Sequence, residues 1–238
     1  LRWDWGDAPD STSVAGYPTL KDHNGARHKI RGPWLGDASD KPDAEPDGQP
    51  NAHALGDDLS PTGIADDEDG VVFPPLVVGQ TNYVFLEVHT DATMEAYVDG
   101  WIDFNGNRQW EAGERFVGGM FGHGMHHVPV AVPADAVPGT TFARVRVSSS
   151  PGLGPTGPAD SGEVEDHEVQ LVALPENTKW VQLPDLSPNG IDVRMNPVRM
   201  LADDFECQAT SLLTDVHLWG SWKGDDRGQI QSIEIRIH

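Results

Sequence analysis

Short runs in which apolar and polar residues alternate, separated by glycine, proline, asparagine and aspartate, fill the chain from Val71 onward. Val71 to Val78, Tyr83 to His89, Glu95 to Phe104, Arg115 to Val117, His127 to Val132, Phe142 to Ser148 and Val164 to Ala173 carry the two-residue period of strands, and their spacing suits a β-sandwich. The alternation is sharpest within Thr141 to Ser148. There Ala143, Val145 and Val147 point one way while Arg144 and Arg146 point the other, which predicts one core face and one wet face.

The pattern is different on either side of this block. From Trp3 to Asp69 the chain is rich in Asp, Gly, Pro and Asn and has little periodicity, so it reads as a long irregular segment with tight turns. Structureless segments of that length are unusual in compact domains and need something to tie them down, for which cation binding by their own carboxylates is the first expectation. Ser149 to Gly162 is a loop, and Leu174 to Thr178 reads as a linker. These boundaries predict a first domain over 1–173, a linker over 174–179 and a second, smaller β-rich domain over 180–238. Within the second domain Ile233, Ile235 and Ile237 alternate with Ser232, Glu234 and Arg236 up to the last residue. No turn follows, so this second sandwich is expected to be incomplete, with an edge that is a template for strand addition by another copy. The fold class expected is all-β: a β-sandwich with an irregular acidic N-terminal segment, then a partial second one. No helix of normal length is signalled.

Composition narrows the function classes. The 238 residues carry 16 Lys plus Arg against 38 Asp plus Glu, a formal charge of -22, which disfavours nucleic acid and anionic lipid as partners. Bound divalent cations are one way to offset such self-repulsion. The single cysteine, Cys207, forms no internal disulfide and leaves the redox compartment undetermined. No apolar run approaches the ~18 residues of a membrane span. No signal peptide opens the chain, so an exported protein would be present here in mature form.

The strongest chemical motif runs from Asp103 to Glu114. Oxygen donors at Asp103, Asn105, Asn107, Glu111 and Glu114, with Gln109 offering its backbone carbonyl, follow the spacing that wraps a calcium ion, Glu114 being the bidentate ligand. Arg108 stands where glycine normally makes the sharp turn, and the preceding segment is strand-like, so the expectation is a calcium loop on a β-hairpin. Further acidic knots are Asp7 with Asp10, Asp57 with Asp58, Asp66, Asp67 and Asp69 around Glu68, and Glu163 with Asp166 in Gly162-Glu163-Val164-Glu165-Asp166. Converging carboxylates need a metal or raised pKa values, whereas solvated surface turns need neither. The acids come in clusters with no pair set apart, which disfavours a glycosidase dyad. His123, His126 and His127 could be imagined around a transition metal, but they lie between strands and are better read as a polar loop. Neither a nucleophile elbow, a P-loop nor a dinucleotide fingerprint occurs. Trp180, Trp219 and Trp222 fit core positions better than a sugar-binding platform; Trp3 and Trp5 are expected to pack back on the domain or on a neighbour.

Gly6-Asp7-Ala8-Pro9-Asp10, Gly25-Ala26-Arg27-His28, Gly56-Asp57-Asp58, Asp67-Glu68-Asp69-Gly70-Val71, Trp101-Ile102-Asp103-Phe104-Asn105 and Gly162-Glu163-Val164-Glu165-Asp166 occur in the order seen in the GEVED domain, which the chain resembles from Trp3 to about Ala173. His167 replaces the usual tyrosine. GEVED domains occur in large secreted or surface-attached bacterial proteins beside adhesion, repeat and sorting modules, so the resemblance implies an extracellular, non-enzymatic module. Lys179-Trp180-Val181-Gln182, Leu201-Ala202-Asp203-Asp204-Phe205 and Trp219-Gly220-Ser221-Trp222 resemble the first part of another uncharacterised β-rich domain of secreted bacterial proteins. The functional expectation is a calcium-stabilised structural or adhesive protein at the cell surface, self-assembling by strand addition into a layer or filament. The alternatives are a carbohydrate-binding module using Trp219, Trp222 or Trp180 on surface glycans, and an accessory domain of a larger hydrolase.

Overall fold

The computed structural model describes residues 2–11, 13, 16–36, 38, 41–56, 69–90, 94–174 and 216. The chain divides into two units, Leu1–Glu176 and Asn177–His238. The first unit is all-β. Its strands are β1 (Trp3–Trp5), β2 (Arg27–Lys29), β3 (Trp34–Leu35), β4 (Val71–Val72), β5 (Leu76–Val77), β6 (Thr81–His89), β7 (Ala96–Ile102), β8 (Arg115–Phe121), β9 (Gly124–Ala131), β10 (Gly139–Ser148), β11 (Pro158–Ala159) and β12 (Glu163–Val172). The run expected from Val71 to Val78 is two short strands, since Pro74 and Pro75 have no N–H to give a ladder. The histidine stretch read as a polar loop instead enters β9, with only His123 before it.

Two sheets form the sandwich. One has the order β5-β12-β10-β7-β8; in the other, β6 pairs with β9 and with the short strands β3 and β4. Val84, Leu86 and Val88 of β6 face Val98 and Ile102 of β7, Ala143, Val145 and Val147 of β10, and Val169 and Leu171 of β12 in one buried cluster. The period-two reading of these strands therefore holds, because each side chain on this face exchanges water for apolar contact.

The opposite face of the larger sheet is covered. Residues of the N-terminal segment cross it as a strap, which contributes β1 and β2, pairs with β11, and packs Ala8, Tyr17 and Ala54 against Trp101, Trp110 and Phe142. The expectation of a wet face at Arg144 and Arg146 is corrected here: both are fully buried under the strap. Alternation shows which residues share a face but not what lies over that face. Trp5 is buried, and the Arg27 guanidinium lies 5.0 Å from its ring centroid and 5.8 Å from that of Trp3.

Candidate functional site

The connection of the β7–β8 hairpin is the loop from Asp103 to Glu114, which ends in a 3-10 turn at Ala112–Glu114. Asp103 is fully buried and organises the first half. Its Oδ1 accepts the N–H groups of Gly106 (2.7 Å) and Asn107 (3.2 Å), and its Oδ2 accepts those of Arg108 (2.8 Å) and the Tyr17 hydroxyl (2.7 Å). Asn105 Oδ1 accepts the Asn107 N–H and Asn107 Oδ1 the Gln109 N–H, while both carboxamide nitrogens donate to the Glu111 carboxylate. Glu114 folds back to accept the N–H groups of Phe104 (2.9 Å), Asn105 (3.3 Å) and Glu111 (3.0 Å). Burial, and then the nearby charge of Asp103, push the Glu114 carboxyl above its ordinary range in spite of these bonds. Burial and the Asp103 carboxylate likewise raise the Tyr17 hydroxyl.

Arg108 adopts φ +65°, the left-handed turn that its position in the loop demands and that glycine would make without steric cost. Arg108→Gly is therefore expected to leave stability unchanged or raise it by up to about 1 kcal/mol, relief of the strain being partly offset by the greater freedom of glycine in the unfolded chain. Urea denaturation of both proteins measures the difference.

The other acidic residues are distributed along the strap and its seat. Asp10 gathers the N–H groups of Ser11, Gly16, Thr19 and Leu20 together with the His23 ring. Burial opposes its ionisation, but the bonds from Gly16, His23, Leu20 and Thr19 outweigh it and hold the carboxyl below its ordinary value. Asp7 Oδ2 accepts the Gly56 N–H at 2.5 Å. The strand expected from Val164 begins at Glu163 as β12, so the acidic motif Gly162-Glu163-Val164-Glu165-Asp166 is strand from Glu163 onward and not a solvated turn, and alternation sends its side chains to opposite faces. Glu163 and Glu165 enter the space between the sheets. There Glu163 accepts the Leu35 N–H (2.5 Å) and Glu165 the Gly70 N–H (3.0 Å), so carboxylates stand in for a strand partner at the margin where β3 and β4 are short. Burial raises the Glu165 carboxyl although His167 bonds to it.

Asp166 faces the strap. Its two oxygens accept the Arg144 Nε and Nη2 at 2.6 Å each, and Oδ2 also accepts the N–H groups of Asp7 (2.9 Å) and Ala8 (2.8 Å). A Cβ on Gly6 would come within 2.4 Å of that oxygen, which is why the strap passes here on a glycine. The remaining Arg144 donors reach Pro18 O, Pro155 O and Thr19 Oγ1. Asp4 reciprocates from the strap by accepting the Val164 N–H at 2.8 Å. Arg146 donates to the carbonyls of Gly154, Thr156 and Gly157 and to His28 Nε2.

Of the residues expected to bind metal, the structure thus brings Asp103, Asn105, Asn107, Glu111 and Glu114 into one loop, with Gln109 exposed beside them, and spreads Asp7, Asp10, Glu163 and Asp166 over separate hydrogen-bonding centres. Asp69 is exposed next to Gly36. Asp57, Asp58, Asp66 and Asp67 lie outside the described residues, as do Trp180, Trp219, Trp222, Ile233, Ile235 and Ile237. Among the described residues no three His, Cys, Asp or Glu side chains are grouped as around a metal ion. Sequence reasoning missed Arg144, Arg146, His28 and Asp4 as members of the buried polar network; charged residues at strict alternation in a strand, with a motif-bearing acidic strand elsewhere, were the available signal.

No curated protein matches the chain. Residues 97–170, which run from within β7 into the acidic strand β12 and include the Asp103 to Glu114 loop, match the family model of the GEVED domain, and residues 178–238 match that of a domain of unknown function, DUF7901.

Proposed function

We propose that this chain is a non-enzymatic structural or adhesive protein of the cell exterior, stabilised by calcium and assembling with copies of itself by strand addition. The observation that carries the reading is how the charged groups of the described unit are used. Asp4, Asp7, Asp10, Glu163, Glu165 and Asp166 each bind backbone N–H groups that join the strap to the sandwich or hold it in shape. Such a clasp resists unfolding and suits a module that bears load.

Calcium belongs at the Asp103 to Glu114 loop in this reading. The donor set, carboxylates and carboxamides on one short connection, fits a hard cation. Burial first, and then the nearby Asp103 charge, raise Glu114, and a divalent ion offsets the carboxylate charge that both disfavour. The loop already closes on its own hydrogen bonds, so the ion adds stability to a formed loop and does not create it. Calcium at ~0.1 to 1 mM is expected to raise the melting temperature over that in chelator, and Glu111→Gln, which removes an exposed carboxylate, is expected to reduce the rise. Equal melting temperatures in calcium and chelator would remove calcium from the reading.

Assembly through Ile233, Ile235 and Ile237 rests on their alternation with Ser232, Glu234 and Arg236 in the sequence and is tested by size-exclusion chromatography. A Lys at Ile235 is expected to convert larger species to monomer; a wild-type chain that is monomeric at all concentrations sinks that part of the proposal.

A further inference from the structure

His89 ends β6 and His123 lies one residue before β9. The β6–β9 ladder pairs Val88 with Gly124, and extending that register by one residue sets His89 opposite His123. The two rings meet edge to face, with centroids 4.6 Å apart and planes at 88°. On the other side of β6, Trp34 is the cross-strand partner of His89 and stacks on it at 3.8 Å, which fixes the plane of that imidazole. Directly opposed residues on antiparallel strands hold their Cβ atoms ~4.5–5.5 Å apart, so their side chains converge. When two imidazoles share a metal at a nitrogen distance of ~2.0–2.1 Å, their centroids come to lie roughly 4.5–5 Å apart, so the observed separation admits a shared ion once the exposed His123 ring turns out of its edge-to-face contact.

We propose that His89 and His123 form a two-imidazole chelate for a borderline transition-metal ion of the copper(II) and zinc(II) type. His89 borders a cavity of about 120 Å³ that Trp34, Thr90, Met94 and Glu95 also line. Met94 is exposed there and offers a thioether beside His89, with water completing the coordination. Each imidazole has two ring nitrogens, so one can keep a hydrogen bond while the other ligates, the usual state of metal-bound histidine. His123 Nδ1 faces the Thr90 N–H at 3.5 Å, too long for a strong bond, so ligation displaces little. The neighbours that the sequence offered as partners are engaged elsewhere: His126 Nε2 bonds the Gly122 carbonyl at 2.8 Å and its ring packs on Phe121, while His127 packs on Phe85. The site uses nitrogen donors and stands apart from the oxygen-lined Asp103 to Glu114 loop, so its ion preference differs from that of the calcium proposal.

The test titrates the full chain with copper(II) followed by electron paramagnetic resonance, and with zinc(II) by calorimetry, for the wild type and His89→Ala, His123→Ala and His127→Ala. Micromolar binding with two coupled nitrogens is expected, weakened at least tenfold in His89→Ala and in His123→Ala and unchanged in His127→Ala. His123 is exposed, so its variant keeps the fold even where His89→Ala disturbs the Trp34 stack. Wild-type binding no tighter than millimolar, or His123→Ala binding as the wild type does, would overturn the assignment.

Discussion

Replacing Asp166 with asparagine is expected to destabilise the first unit by about 3–5 kcal/mol, the range for removing one partner of a buried ion pair. Asp166 and Arg144 are both fully buried. The carboxamide keeps the volume but removes the charge, so the guanidinium is left in the interior without its counter-ion, and one of two acceptors becomes a donor facing Arg144. The strap loses more than an ion pair, because the N–H groups of Asp7 and Ala8 share the same oxygen. Buried ion pairs elsewhere can often be replaced by apolar pairs at no cost. Here Arg144→Met with Asp166→Leu is expected to remain destabilising, since the carbonyls of Pro18 and Pro155 and the strap N–H groups would be left without partners. Denaturant unfolding gives the magnitude, and amide exchange across residues 2–36 shows where the protection is lost. A loss under about 1 kcal/mol for Asp166→Asn would mean that the strap is held by its apolar contacts at Tyr17 and Trp5 and not by the clasp.

Mild acid is expected to loosen the same strap through His28. Its Nε2 accepts a bond from Arg146 Nε at 2.9 Å, and Nδ1 lies 2.7 Å from the Ser161 carbonyl, to which it must donate. Both nitrogens are thereby committed to the neutral ring. Burial first, then the Arg146 charge, pull its pKa well below 6.5; the Ser161 bond opposes this in part and the Arg144 charge adds to it. With the folded pKa depressed, the unfolded chain takes up a proton below pH 6.5 that the folded chain refuses. Stability is therefore complete above that pH and falls as the pH drops, by up to about 1.4 kcal/mol per unit for this one group. The raised carboxyls of Glu165 and Glu114 act in the opposite sense, since protonating them favours the folded state, and they blunt the fall as the pH nears the carboxylate range. Stability measured at pH 7.5, 6.5 and 5.5 should show the loss concentrated below 6.5. His28→Gln keeps an acceptor for Arg146 and a donor for Ser161 without a titrating ring, so it should flatten the profile; an unchanged slope would assign the acid sensitivity to other groups.

These two expectations concern residues that a reading of the chain treated very differently. Asp166 stands out because it belongs to a dense acidic motif, for which the sequence supports both a strand from Val164 and a solvated turn at its acidic start. A turn was the natural reading of adjacent like charges, which repel less in solvent. The structure instead keeps strand alternation through Glu163 to Asp166 and gives each carboxylate its own set of N–H donors. His28 is marked in the sequence only as part of the Gly25-Ala26-Arg27-His28 motif, which does not show its role: it sits in a segment without periodicity, and its partner Arg146 is 118 positions away. The loop from Asp103 to Glu114 was the most legible, since its hydrogen bonds join residues close in sequence, and even the strained turn at Arg108 follows from the spacing.

What the sequence determined by itself is the set of longer strands β6, β7, β8, β9, β10 and β12, the shared core face of Ala143, Val145 and Val147, and the acidic loop between β7 and β8, because each follows from a local period or a local spacing. Only the tertiary structure decided that the opposite face is dry, that Arg144 and Arg146 are buried, and that His123 meets His89 and not His126. Side-chain alternation divides a strand into two faces but is silent on what covers each. The cover is set by the course of an aperiodic strap whose bonds span 158 positions from Ala8 to Asp166, and such bonds form only once the sandwich has brought their ends together.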